Sequence, residues 1–245
     1  MATIRPRTRK AGHITKATRK PVKAKWPPNR KRVRAILDEL ETLYPGAECE
    51  LYHKTPFQLL CATILSAQCT DERVNKVTPP LFARFPDAHA MAKAPVPVLE
   101  EMVKTTGFFR QKTKSLLGTS RILVDQHGGE VPRDAEQLRK LPGVARKTAN
   151  VVMGTAFGEP SGVVVDTHVQ RLALRLALTR NLTPEKIEQD LMLVVPQDEW
   201  IAFAHKLILH GRRVCFARKP DCERCPLVPH CPSAFRECPP PCPAP

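Results

Sequence analysis

A chain of 245 residues with 42% hydrophobic residues is long enough for one large domain or two small ones and apolar enough for a core. Its net charge of +15 is unevenly placed: residues 1–34 hold thirteen of the 39 Lys and Arg and no Asp or Glu, leaving 26 basic against 24 acidic residues elsewhere. No stretch approaches the ~20 apolar residues that cross a bilayer and no secretory signal opens the chain, so the nine cysteines are expected to be metal ligands or buried thiols of an intracellular protein rather than a disulfide framework.

Residues 1–28 lack apolar periodicity and contain Pro6, Pro21, Pro27 and Pro28, which predicts a disordered basic arm. Such an arm suits phosphate binding through counterion release, although a solubilising tail or an organelle-targeting presequence has the same composition. Val33, Ile36, Leu37, Leu40 and Leu43 then recur at helical spacing until Pro45-Gly46. Thr55-Pro56-Phe57-Gln58 has the form of a capping box with proline at the first helical position, opening an apolar helix that runs to about Gln68. Further helices are predicted near 71–84, 97–105, 110–126, 134–140, 145–157, 166–178, 184–195 and 198–211. Only Val163-Val164-Val165 resembles a strand, and it is too short for a sheet. The class is all-α. Cys61 lies in an apolar helix and reads as a small core residue. The proline-rich end, residues 232–245, is expected to be disordered, and its Cys238 and Cys242 are poor ligand candidates.

Two motifs carry chemistry. In Leu141-Pro142-Gly143-Val144-Ala145-Arg146-Lys147 a short helix enters a Pro-Gly turn and a second helix follows at once. Such a turn presents unpaired backbone N–H groups that bind a phosphate with help from the helix dipole, gripping DNA without reading bases. Lys147 stands one turn into the second helix, and Asp166 follows in Val165-Asp166-Thr167-His168. Taken separately they read as a phosphate contact and an N-cap. Taken together they suggest an amine nucleophile able to form a Schiff base at a sugar C1′, with a carboxylate to accept a proton or stabilise developing charge. The second motif is C-x6-C-x2-C-x5-C at Cys215, Cys222, Cys225 and Cys231, too short and proline-rich to form a core of its own. A metal centre would supply the missing folding free energy. Spacing alone leaves zinc and an iron–sulfur cluster both open.

From about Arg30 to Cys231 the chain resembles the endonuclease III family of helix–hairpin–helix, iron–sulfur DNA glycosylases. The likeness rests on Leu65-Ser66-Ala67-Gln68-Cys69-Thr70-Asp71, the hairpin with Lys147, Val165-Asp166-Thr167-His168 and the four cysteines, in the family's order. It implies two helical domains with a DNA-binding cleft between them. A six-helix domain would span 51–159, and a cluster domain would combine 29–50 with 160–231. It implies a 4Fe-4S cluster on Cys215, Cys222, Cys225 and Cys231, a nucleophilic Lys147 in a desolvated, positive site, and assistance from Asp166. The implied partner is double-stranded DNA bearing an oxidised pyrimidine or an abasic site, and the chain is expected to act as a monomer. Gln68 would fill the gap left by the extruded base, with Phe108 or Phe109 as an opposing wedge. Leu141, Gly143, Val144, Ala145 and Arg146 would hold phosphate, and Arg218 and Lys219 would meet it from the cluster loop. The implied activity is that of a bifunctional glycosylase and AP lyase of base excision repair, sited with the genome: nucleoid-associated in the cytoplasm of a bacterium, nuclear or mitochondrial in a eukaryote. Ala145 departs from the family's second hairpin glycine, and alanine fits there without strain if that residue is already helical. An adenine-removing mismatch glycosylase, the nearest alternative, typically lacks this lysine and carries an extra C-terminal domain. A non-catalytic DNA-binding module would keep hairpin, arm and cysteines but has no use for the Lys147/Asp166 pair.

Overall fold

A computed structural model describes residues 26–235. The expected arm, up to residue 25, and the Pro/Cys-rich end, with Cys238 and Cys242, lie outside the described residues. Within them the chain is helical and contains no strand.

Helix α1 (Arg30–Leu43) starts where Asn29 Oδ1 accepts the Lys31 N–H at 2.8 Å, and it buries Val33, Ile36, Leu37 and Leu40 along one stripe. Helix α2 (Pro56–Leu65) opens with Pro56 at its start, Thr55 Oγ1 accepting the Gln58 N–H at 3.2 Å. Gln58 Oε1 in turn accepts the Lys54 N–H at 2.8 Å, one residue upstream of the reciprocal contact a strict capping box makes. From Leu59 to Leu65 every residue of α2 is buried, so this helix is the axis of the first core. Each large aliphatic side chain buried there contributes on the order of 1.5–3 kcal/mol. Around it pack α3 (Asp71–Arg84), α4 (Ala88–Ala92), α5 (Val96–Val103), α6 (Phe109–His127), α7 (Ala135–Arg139) and α8 (Arg146–Phe157). Between 51 and 159 there are therefore seven helices, not six. The extra one, α4, is a single turn held by the Asp87 carboxylate on the Ala90 N–H, too short to show a period.

A second core joins α1 to α9 (Thr167–Arg175), α10 (Pro184–Val194), α11 (Trp200–Arg213) and Leu227. Val163 and Val165 are buried in it as part of a connector, which is why a strand-like triplet forms no strand. The two cores meet where α8 lies on α11: a Cβ added to Gly154 would come within 2.9 Å of Ile201. Polar ties cross the same boundary. Glu188 of α10 is buried and pairs with Arg146 at 2.7 Å, while its other oxygen accepts from Asn150 at 2.7 Å. Arg212 of α11 pairs with Asp71 at 2.7 Å and with Glu50.

Helix α11 also holds two imidazoles out of water. Burial pushes His205 below the ordinary histidine range, and it pushes His210 down to about 4. Both are therefore neutral in the folded chain at pH values where the unfolded chain already binds a proton. Stability from this source is complete above about pH 6.5 and is lost as pH falls toward the folded value, with His210 alone contributing roughly 3 kcal/mol. The midpoint of thermal unfolding is expected to drop between about pH 7 and pH 5, and His205→Gln should remove part of that slope. A flat profile in both proteins would contradict it.

Candidate DNA-binding and catalytic face

The hairpin turn is built by core residues that the sequence reading assigned to DNA. Leu141 and Val144 are buried, and their N–H groups donate to Leu138 O and Leu141 O, each at 3.1 Å. They shape the turn, and their side chains face the core. The residues they leave on the surface are Gly143, Ala145, Arg146 and Lys147, all exposed. Gly143 has φ +80°, and a Cβ there would lie 2.8 Å from Ser115 Cβ and Oγ. This position requires glycine on both counts. Ala145 is not helical: it caps α8 in an extended conformation with φ −86°. Its φ is negative, so the departure from glycine costs no left-handed strain.

Lys147 is exposed in the first turn of α8. The desolvated surroundings expected for it are therefore absent from the chain by itself, and only a bound duplex can supply them. Arg146, expected to meet DNA, is instead half-committed to Glu188. Asp166 caps α9, Oδ1 accepting the Val169 N–H at 2.8 Å. It lies within electrostatic reach of His168, Arg171, His205 and Arg212. The helices bearing Lys147 and Asp166 share a neighbour, since α11 packs on α9 and meets α8 at Gly154.

Gln68 lies beyond the end of α2, which stops at Leu65, and its φ of +52° points to a constrained turn. Phe108 shares that unusual backbone, with φ +46°, and is 67% exposed. Phe109 is different: it is partly buried against the first core. The pair thus divides into one surface and one packing residue.

Cys215, Cys222, Cys225 and Cys231 are partly buried free thiols, and three of them, Cys215, Cys225 and Cys231, pack against the second core. Burial and then mutual repulsion push Cys225 up to about 12 and Cys231 up to about 11. Cys215, Cys222 and Cys231 thus all lie near enough to bear on Cys225. Among the described residues, however, no three Cys, His, Asp or Glu converge closely enough to hold one metal ion. The loop is fixed by two buried arginines that the sequence reading missed. Arg171 donates to Gly211 O at 3.0 Å and Cys215 O at 3.1 Å. Arg175 donates to Cys215 Sγ at 3.2 Å, Phe216 O at 2.7 Å and Ala217 O at 2.6 Å. They stand four residues apart on α9, and their sequence signal was only a basic pair on an amphipathic helix. Arg218 and Lys219 follow on the exposed part of the loop.

Residues 61–197 match the HhH-GPD superfamily base excision DNA repair protein family. The endonuclease III of Synechocystis sp. is 56% identical over 205 residues, covering 84% of this chain and 94% of that protein. The chain belongs to the endonuclease III family. The enzyme of that name from Escherichia coli K12 is 44% identical over 190 residues, 78% of this chain and 90% of its own. A solved non-covalent endonuclease III–DNA complex superposes with a TM-score of 0.79 at 44% identity, over 83% of this chain and 95% of that one. A trapped covalent endonuclease III–DNA intermediate gives 0.79 at 43% identity over the same shares. Family membership accounts for the helical class and the hairpin, and it leaves the roles of individual side chains to be argued from geometry.

The hairpin argument makes Gly143 the most sensitive position of the turn. Gly143→Ala is expected to cost about 1–2 kcal/mol of stability from left-handed strain alone, with Ser115 displaced in addition. Affinity for undamaged duplex should weaken in parallel, read by anisotropy titration. Ala145→Gly should leave both nearly unchanged.

Proposed function

We propose that this chain is a bifunctional DNA glycosylase and AP lyase of base excision repair, acting on oxidised pyrimidines in duplex DNA. The observation that carries it is the exposed Lys147 in the first turn of α8, directly after a phosphate-sized turn whose free amides belong to Gly143, Ala145 and Arg146. That placement brings an amine to the sugar adjoining a gripped phosphate. In this reading 51–159 forms one domain and 29–50 with 160–231 the other, with DNA in the cleft between. The separate cores and their narrow contact support this division.

The duplex opens at the lesion at a cost of a few kcal/mol, less where the base pairs poorly. Lys147, stripped of water by the bound strand and having lost its proton, attacks C1′ through Nζ. The C1′–N bond breaks, and the base leaves with the bonding electrons and takes up a proton. Asp166 stabilises positive charge on the sugar and accepts the proton that Nζ sheds. The C1′–O4′ bond then breaks, O4′ taking up a proton as the sugar ring opens, which leaves a Schiff base between Nζ and C1′; this acidifies the C2′ proton, whose removal expels the 3′ phosphate by β-elimination, and water then releases the lysine. Gln68 and Phe108 occupy the space the nucleotide vacates, and Arg218 and Lys219 meet the backbone from the cysteine loop.

Cys215, Cys222, Cys225 and Cys231 are proposed to hold a 4Fe-4S cluster. The four-thiolate donor set fits a 4Fe-4S cluster, and the likeness to endonuclease III favours that cluster over zinc. When bound it supplies folding free energy to the loop. Iron with acid-labile sulfide is the expected content of the purified protein; zinc without sulfide would overturn this part.

Borohydride trapping on a duplex with one thymine glycol tests the whole reading. A covalent protein–DNA band is expected from the wild type and none from Lys147→Ala, with duplex binding retained in both. A band that persists in Lys147→Ala would move the nucleophile elsewhere. Loss of binding together with the band would make Lys147 structural.

A further inference from the structure

Lys112 is a buried lysine on α6 whose ammonium reaches no carboxylate. Its Nζ donates to Leu65 O at 2.8 Å and to Thr106 O at 2.7 Å. Leu65 is the last residue of α2, so the cation sits at the negative end of that helix and accounts for one of its orphan carbonyls. Thr106 closes the short turn before Gly107, and its own hydroxyl bonds back to Val103 O at 2.7 Å. Three residues after Leu65 comes Gln68, and two residues after Thr106 comes Phe108. Both are exposed and both have a left-handed backbone. Two non-glycine residues in that conformation persist only where their surroundings over-determine it. Here one ammonium bonds the roots of both loops.

We propose that Lys112 is a positioning residue that locks the Gln68 and Phe108 loops to each other, so that both side chains enter an opened duplex together. The inference rests on the proposed function and adds to it a residue that touches neither DNA nor the reacting atoms. A neutral side chain of similar length would fill the space yet leave two buried carbonyls unpaired. The loops would then move independently, and the cost of opening the duplex would no longer be met by two insertions made at once. Burial already pulls Lys112 below the ordinary lysine range, and nearby Cys69 opposes that shift. A cation is kept there against desolvation because the two carbonyls hold it.

The full-length protein with its native metal content is compared with Lys112→Met on two substrates. One is a duplex with a single thymine glycol beside 2-aminopurine; the other is a single strand with one abasic site, which needs no opening. On the duplex, base removal is expected to fall about 100-fold in kcat, with loss of the 2-aminopurine signal for strand opening. Single-strand cleavage should be unchanged. In a Gln68→Ala/Phe108→Ala background, adding Lys112→Met should produce little further loss, because the three act as one unit. Equal losses on both substrates, or a full additional loss in that background, would overturn the inference. So would wild-type behaviour of Lys112→Met. Absence of any trapped adduct from the wild type would instead sink the underlying catalytic reading, and the inference with it. If Lys112→Met does not fold, Lys112→Gln carries the same comparison, with a neutral donor able to serve one carbonyl and an intermediate loss expected.

Discussion

One face of α6 holds the DNA-side loops of the first core in place. Lys112, Ser115 and Thr119 follow one another at helical spacing, and all three are buried. Lys112 bonds the ends of the two loops that carry Gln68 and Phe108. Ser115 lies where any Cβ on Gly143 would have to go, and Thr119 Oγ1 donates to Pro142 O at 2.9 Å. A helix normally buries apolar residues, because each buried polar group must recover its lost hydration. Here Lys112 and Thr119 are kept because their partners are loop carbonyls, and Ser115 because it is small enough to pack under Gly143. Gly118 completes the contact by bringing α6 close to Pro142, whose ring would lie 3.1 Å from an added Cβ. The loops therefore inherit the rigidity of a nineteen-residue helix.

Lys147 belongs to the first core and Asp166 to the second, so their relation depends on how the cores are joined. An apolar contact at Gly154 and Ile201 sets how closely α8 approaches α11. The Glu188 carboxylate then takes Arg146 and Asn150, and Ser161 donates to Asn150 Oδ1 at 2.9 Å. A carboxylate this buried is tolerated only when paired, so its partners are constrained as firmly as it is. The connector at Gly162 passes so close to Glu188 and Asn150 that no side chain fits there. Arg146 thus ties the first turn of α8 to α10 through Glu188 while its side chain stays partly exposed.

Much of this was legible in the sequence because it depends on local patterns. The helices with long apolar stripes, the Thr55 cap and the Asp166 cap follow from spacing and side-chain chemistry alone. The family resemblance was legible because four motifs stand in one order. What stayed hidden depends on contacts distant in sequence. Lys112 reads as one more exposed cation until Leu65, forty-seven residues away, is found against it. Leu141 and Val144 lie in the hairpin motif, but only tertiary packing shows that they face inward. The end of α2 at Leu65 instead of near Gln68 has the same origin. Nothing in Ser66-Ala67-Gln68 forbids further helix, whereas the lysine beneath it takes the carbonyl that another turn would have used.

The start of α8 differs from those of its neighbours. α7 and α9, its neighbours along the chain, begin under Asp134 and Asp166, whose carboxylates accept amide hydrogens and suit the positive end of the helix. α8 begins under Ala145, with no side-chain cap and no acidic residue in its first turn, and its first two residues are Arg146 and Lys147. Glu188 offsets one of these cations from the side. The open amides and Lys147 remain without an anion. A phosphate would satisfy both the orphan N–H groups and the clustered positive charge. It would also place the strand over Lys147, removing the water that the free chain leaves around it. Outside residues 1–34 the chain is close to neutral, 26 basic against 24 acidic residues, so its net charge by itself gives little attraction for DNA. Uncapped helix, left-handed glycine and exposed lysine thus form one local, positively charged site.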